Sequence, residues 1–256
     1  MMKPVSFTKT GLDLFVLQLS WTFWALGIFL LINLGRILFL SHVDSFYSAG
    51  YIAGNIYMLV IGIIAIGFLT YYVENGITRK NYFLGNVIAS IGLSIVIPIL
   101  IYGISLIQQF VINRFTSIVL NEDALENVVI DIDGNIFGEI IQSVILTPFI
   151  SPETNLILSL ALFSLNIFVF YIIGWLIGAA FKRLGVIGGL LFIVIGIALI
   201  AVKDSMIRLA MGIPLFESFS FLDIVPEALA FPLIFVVIVV TLMMIRLLTK
   251  RAEIDI

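Results

Sequence analysis

Long apolar runs separated by short polar stretches set the plan of this chain. A helix that crosses a bilayer needs about 20 mostly apolar residues, within a range of roughly 17–25. Six runs meet or approach that length: residues 20–40, 51–73, 82–112, 156–181, 185–202 and 228–248. The third is long and holds Pro98, which predicts a kink, because proline removes an amide donor and crowds the turn before it near Ser94. The fifth is short for a full crossing.

Three segments outside these runs carry their own patterns. In residues 4–18, PVSFTKTGLDLFVLQ, Val5, Leu12, Phe15 and Val16 fall near one helical face with Leu19, while Lys9, Asp13 and Gln18 lie elsewhere. That predicts an amphipathic helix lying in the membrane interface, the alternative being a first span that begins earlier. Residues 113–153 form the longest polar region, an acidic outer loop with a turn expected at Asp133-Gly134. Asp131, Asp133 and Asn135 have the early spacing of a calcium loop, but an EF-hand wants glycine at position 6, and Gly134 comes too soon. Residues 203–227 are too apolar to hang in water and too polar to cross. They predict a re-entrant outer segment of two short helices, broken at Gly212-Ile213-Pro214.

Composition places the whole chain in a membrane: 62% of residues are hydrophobic, 11% are charged, and the mean hydropathy is +1.23. Soluble domains are about half apolar and a quarter charged. The expected fold is an all-α integral membrane protein, a single transmembrane domain over residues 1–256, with six transmembrane helices. Lysine and arginine set its orientation. With the amino terminus inside, Lys3, Lys9, Arg79, Lys80, Lys182, Arg183, Arg246, Lys250 and Arg251 are cytoplasmic, and only Arg36, Arg114, Lys203 and Arg208 are outside. The outer side then collects the carboxylates, among them Asp131, Asp133, Glu139, Glu153 and Asp204. Both termini are expected in the cytoplasm.

Little chemistry survives inspection. The chain has no cysteine, so thiolate and disulfide chemistry are excluded. Its one histidine, His42, reads as an interfacial residue at a loop and rules out an H-E-x-x-H zinc motif. No P-loop or G-x-S-x-G elbow occurs, and no basic tract suggests nucleic acid. Asn33, Gln108, Gln109 and Asn166 are the polar candidates within the spans. Interhelical hydrogen bonding is the favoured role for them, and a translocation path the other. Small-residue pairs at a spacing of four, Gly174 with Gly178, Gly50 with Gly54 and Ser90 with Ser94, mark close helix packing within or between subunits.

One loop says more. Between the second and third runs the chain reads Glu74-Asn75-Gly76-Ile77-Thr78-Arg79-Lys80-Asn81-Tyr82-Phe83-Leu84-Gly85. Gly76 can end a helix, Thr78 can cap a new one, Arg79 and Lys80 offer charge, and Tyr82 and Phe83 offer anchors. This loop resembles the signature region of ABC type-2 exporter permeases, and the order of segments resembles their plan over essentially the whole chain. The resemblance implies a permease subunit in the bacterial plasma membrane, with no nucleotide site of its own. Two such chains, alike or related, would dock separate ATPase subunits that bind ATP and magnesium. Residues 74–83 would act as the coupling loop that links hydrolysis to export of a substrate such as a peptide or lipid. Two other classes stay open: a secondary transporter or channel acting alone, and a membrane immunity or sensor protein that sequesters peptides.

Overall fold

The computed structural model describes residues 6–39, 42–115, 119–121, 136–145 and 147–252. Their helices are α1 (Phe7–Phe39), α2 (Phe46–Ala65), α3 (Gly67–Glu74), α4 (Arg79–Phe115), α5 (Ile136–Ile145), α6 (Pro152–Ala210) and α7 (Glu227–Lys250), with a 3-10 helix at Glu217–Ile224. The short strands β1 (His42–Asp44) and β2 (Val119–Asn121) pair in parallel. Among the described residues, five helical stretches are long and apolar enough to cross a membrane: Phe7–Ile37, Phe46–Glu74, Arg79–Arg114, Pro152–Ala210 and Glu227–Lys250.

Local sequence explains where these helices begin and end. Ser6, Ser45 and Ser151 sit just before α1, α2 and α6, and their Oγ atoms accept the amides of Lys9, Ser48 and Glu153 at 3.3, 3.1 and 3.4 Å. Such hydroxyls satisfy first-turn N–H groups that lack a helical partner. Gly76 and Gly212 have φ of +82° and +67°. Around each, two bonds wrap the helix end. Gly76 and Ile77 donate to Val73 and Tyr72, while Gly212 and Ile213 donate to Leu209 and Arg208. This is the Schellman arrangement, which favours glycine because a side chain at that φ is strained.

The longest helix, α6, has 59 residues. Straight, it would reach about 88 Å, almost three times a bilayer's apolar core. It turns back instead at Gly185, whose φ is +70°. A Cβ on Gly196 would lie 2.9 Å from Ile173 Cγ2 and 3.1 Å from Ile177 Cδ1, and Lys203 Nζ lies 5.3 Å from the centre of the Phe170 ring. Each pair straddles Gly185, so the helix forms an antiparallel hairpin with Lys182 and Arg183 at its tip.

The chain forms two compact units. The first comprises Met1–Asn55, Lys80–Asn127 and Phe149–Phe168. Here the buried face of α1 runs Thr10, Leu14, Gln18, Thr22, while Leu12, Val16, Phe23, Trp24, Ile28 and Leu31 are exposed. The apolar face expected for residues 4–18 therefore looks away from the chain, and the face packed inside it is small and polar. Small and polar groups pack on α4, with Gln18 donating to Asn86 at 3.4 Å, and the apolar groups point away. That inversion suits lipid, where apolar contact with a neighbouring helix brings no advantage over contact with acyl chains. Nor does an interfacial helix separate from a span, since α1 is continuous from Phe7 to Phe39. A Cβ on Gly50 would lie 2.6 Å from Ile101 Cγ2, and one on Gly54 3.1 Å from the Phe163 ring.

The second unit comprises Ile56–Arg79, Val128–Pro148 and Val169–Ile256. Its centre is a backbone contact between α2 and α6. Cβ atoms built on Gly62, Gly174 and Gly178 would fall 2.1, 2.0 and 2.4 Å from the carbonyl oxygens of Tyr171, Leu59 and Ile63. The Gly174–Gly178 pair thus packs within one chain.

Other expectations need correction. The second run starts at Phe46, five residues early, and its helix is interrupted at Ile66 between α2 and α3. The third run is helical from Arg79 to Phe115 with Pro98 inside it, longer than the expected 82–112. In the acidic region, residues 136–145 form α5, while Asp131, Asp133, Gly134 and Asn135 lie outside the described residues. Glu139 is not a solvated carboxylate: it is buried, and its Oε2 accepts the Ser218 amide at 3.1 Å. The segment 203–227 does break at Gly212, but its first part is the end of α6 and its second part is the 3-10 helix.

Candidate functional site

The loop between α3 and α4 is built by a helix stop followed at once by a helix start. The bonds around Gly76 close α3, and Asn75 Nδ2 adds a 2.8 Å bond to the Tyr71 carbonyl. Residue Thr78 then immediately precedes α4, which begins at Arg79. Glu74, Asn75, Gly76, Thr78 and Lys80 are exposed, and Phe83 is half-buried.

Two of the expected docking groups are committed elsewhere. Tyr82 is fully buried, because one turn into α4 its position faces the interior, so its ring cannot anchor a partner. Arg79 donates from Nη1 to the Lys250 carbonyl at 3.0 Å, and Arg246 Nη1 donates to the Arg79 carbonyl at 3.3 Å. Arg183 donates to the Leu247 carbonyl as well. The last turn of α7 carries carbonyls with no helical partner and the negative end of the helix dipole. Guanidinium groups are well suited to both, so Arg79 has a structural role in this chain. The tip of the α6 hairpin is tied in too, through Lys182 Nζ and Thr70 Oγ1 at 2.7 Å.

The four polar span residues do not converge on one path. Gln108 links three elements: its Nε2 donates to Asn33 Oδ1 at 2.7 Å, and its Oε1 accepts the Phe46 amide at the start of α2 at 2.8 Å. Asn166 donates to the Tyr51 hydroxyl, away from that pair in sequence and partner. Gln109 lines a cavity of about 90 Å³ together with Tyr102, Ser105 and Glu153. Its Nε2 lies 3.5 Å from Glu153 Oε1, and the volume has room for about three water molecules. Interhelical bonding is the role the geometry gives Asn33, Gln108 and Asn166. Gln108→Leu removes the acceptor of a buried helix-start amide and the donor to Asn33. It should cost roughly 1–3 kcal/mol in thermal or denaturant unfolding in micelles. Gln109→Leu, at the cavity wall, should cost less.

Sequence reasoning missed a charged cluster. Lys203 and Asp204 are fully buried, and Arg208 Nε donates to Asp204 Oδ2 at 2.8 Å. The Arg208 guanidinium lies 4.0 Å from the centre of the Phe216 ring, and Asp204 Oδ1 has no partner among the described residues. The available signal was the spacing of Asp204 and Arg208, four apart, which lets a helix carry both charges past the end of an apolar run. Among the described residues no three histidine, aspartate or glutamate side chains are placed to hold a metal ion. No protein-family model, curated protein or solved structure matches this chain.

Proposed function

We propose that the chain is the permease subunit of an ABC exporter, sitting in the bacterial plasma membrane with both termini in the cytoplasm. The observation that carries the reading is the exposed stop-and-start loop at residues 74–80. The helix end at Gly76 and the fresh helix at Arg79 leave Glu74, Asn75, Thr78 and Lys80 exposed to a partner. Counted as two passes, the α6 hairpin brings the total to six crossings. A second permease chain would complete the path, and a separate ATPase subunit would bind ATP and magnesium and seat residues 74–83. The chain itself is then a transport subunit rather than an enzyme.

The test is docking. Phe83→Ala should weaken co-purification of the ATPase subunit by about ten- to a hundredfold, the loss of an interface anchor worth ~1–3 kcal/mol. Lys80→Ala should do less, since an exposed flexible ammonium contributes little. Arg79→Ala removes the α7 contact as well, so it should lower both docking and thermal stability. A Phe83/Lys80 double variant that binds the ATPase normally and still supports substrate-stimulated ATP turnover would remove the permease reading.

One observation favours a second reading. Buried Lys203 and Asp204 lie in a helix long and apolar enough to cross a membrane. Ionisable groups so placed are typical of ion-driven transporters. Transport by the purified chain alone, driven by an ion gradient without ATP, would establish that alternative.

A further inference from the structure

A groove of about 550 Å³ runs beside the first turns of α1, within the first unit. Ser6, Thr8 and Lys9 line one end, and Leu12, Phe15 and Ile88 line the rest, over Gly11 and Gly92. We propose that this groove seats one anionic phospholipid, with its phosphate at the first turn of α1 and an acyl chain along the apolar wall. The assignment goes beyond the permease reading and is independent of any cargo.

The polar end is suited to a phosphate. Ser6 caps α1 and takes the Lys9 amide, so Thr8 and Lys9 occupy the first turn, where the positive end of the dipole favours an anion. Lys9 is exposed and is the only charged side chain among the described residues that line the groove; Asp13, one turn on, does not line it. The remainder is suited to a chain. Leu12 is 60% exposed and Ile88 39% exposed, apolar surface that water solvates poorly. Two glycines let α1 and α4 approach closely at the groove's floor. A Cβ on Gly92 would lie 2.9 Å from the Phe15 ring, and one on Gly11 3.0 Å from the Gly85 carbonyl oxygen. A positive end joined to an apolar trough matches an amphiphile, whereas free phosphate would leave the trough uncovered and a zwitterionic headgroup would bring its own cation beside Lys9.

The test uses the full chain in mild detergent and native mass spectrometry, titrated with dioleoyl phosphatidylglycerol or dioleoyl phosphatidylcholine. The first phosphatidylglycerol should be retained about fivefold more strongly than phosphatidylcholine, the effect of one lysine near a lipid surface. Lys9→Gln should remove that preference, Lys9→Arg should keep it, and Leu12→Asn should lower retention of both lipids. Arg251→Gln, at the other end of the chain, should leave all values unchanged. Equal retention of the two lipids by the unaltered chain, or a preference that survives Lys9→Gln, overturns the proposal. Deleting residues 2–5 supplies the remaining arm. Unchanged retention supports the lipid, while retention seen only after deletion assigns the groove to the chain's own amino terminus and overturns it.

Discussion

Gly174→Ala should loosen the second unit by roughly 3 kcal/mol or more, the upper range for forcing extra volume into a packed interior. The added methyl would sit 2.0 Å from the Leu59 carbonyl oxygen and 2.9 Å from its carbon, both backbone atoms. A flexible side chain could swing aside, but a helix backbone cannot, so α2 and α6 would have to part along the whole contact. That separation would also weaken the approaches at Gly62 and Gly178, where the built Cβ atoms meet carbonyl oxygens at 2.1 and 2.4 Å. The check is thermal or denaturant unfolding in micelles, with Gly103→Ala beside it. A Cβ on Gly103, inside α4, meets nothing within 4 Å. There the substitution should be neutral or stabilising by about 0.5–1 kcal/mol, because alanine holds a helix better than glycine. Opposite signs are expected from one chemical change, and equal effects would show that the backbone contact is not formed.

Asp204→Ala should cost roughly 3–5 kcal/mol, the usual penalty for leaving a buried charge without its partner. The Arg208 side chain is only 15% exposed and that of Asp204 is 0% exposed, so water can do little to replace the 2.8 Å bond between them. Asp204→Asn keeps an acceptor oxygen and should cost less. Changing Asp204 to leucine and Arg208 to methionine together should recover part of the loss, because it removes the desolvation of both charges while leaving Lys203 buried. Unfolding of the two single variants and the double measures the coupling directly. If Asp204→Ala stays within about 1 kcal/mol of the unaltered chain, the carboxylate is hydrated in the membrane. Hydration there would favour the ion-driven reading over the ATPase-driven one.

The long apolar helices were legible in the residues because length and composition alone identify a stretch able to cross a membrane. Some helix ends were legible too: Gly76 stops α3 and Gly212 stops α6, and glycine is the residue that takes positive φ without strain. What could not be read was which face looks inward. Leu12 and Val16 point away from the chain and Thr10 and Gln18 point into it, the reverse of the rule for proteins in water. Partners were equally hidden. Gly174 and Gly178 announce that some helix comes close, yet nothing in their spacing names Leu59 and Ile63 as the contact. At the candidate site the loop's turn was readable from Gly76, while the commitments of Tyr82 to the interior and Arg79 to the end of α7 depend on elements distant in sequence. Lys203 and Asp204 were placed in a separate re-entrant segment because the apolar run ends before them, although the helix does not.

The reversal at Gly185 has a consequence for synthesis. A ribosome delivers Phe170 before Lys203, so the leg whose ring lies beneath that ammonium is complete when the charge emerges. Asp204 follows Lys203 at once, and Arg208 arrives one helical turn later. The most awkward side chains to place in lipid are therefore made last in the hairpin, beside a wall that already exists.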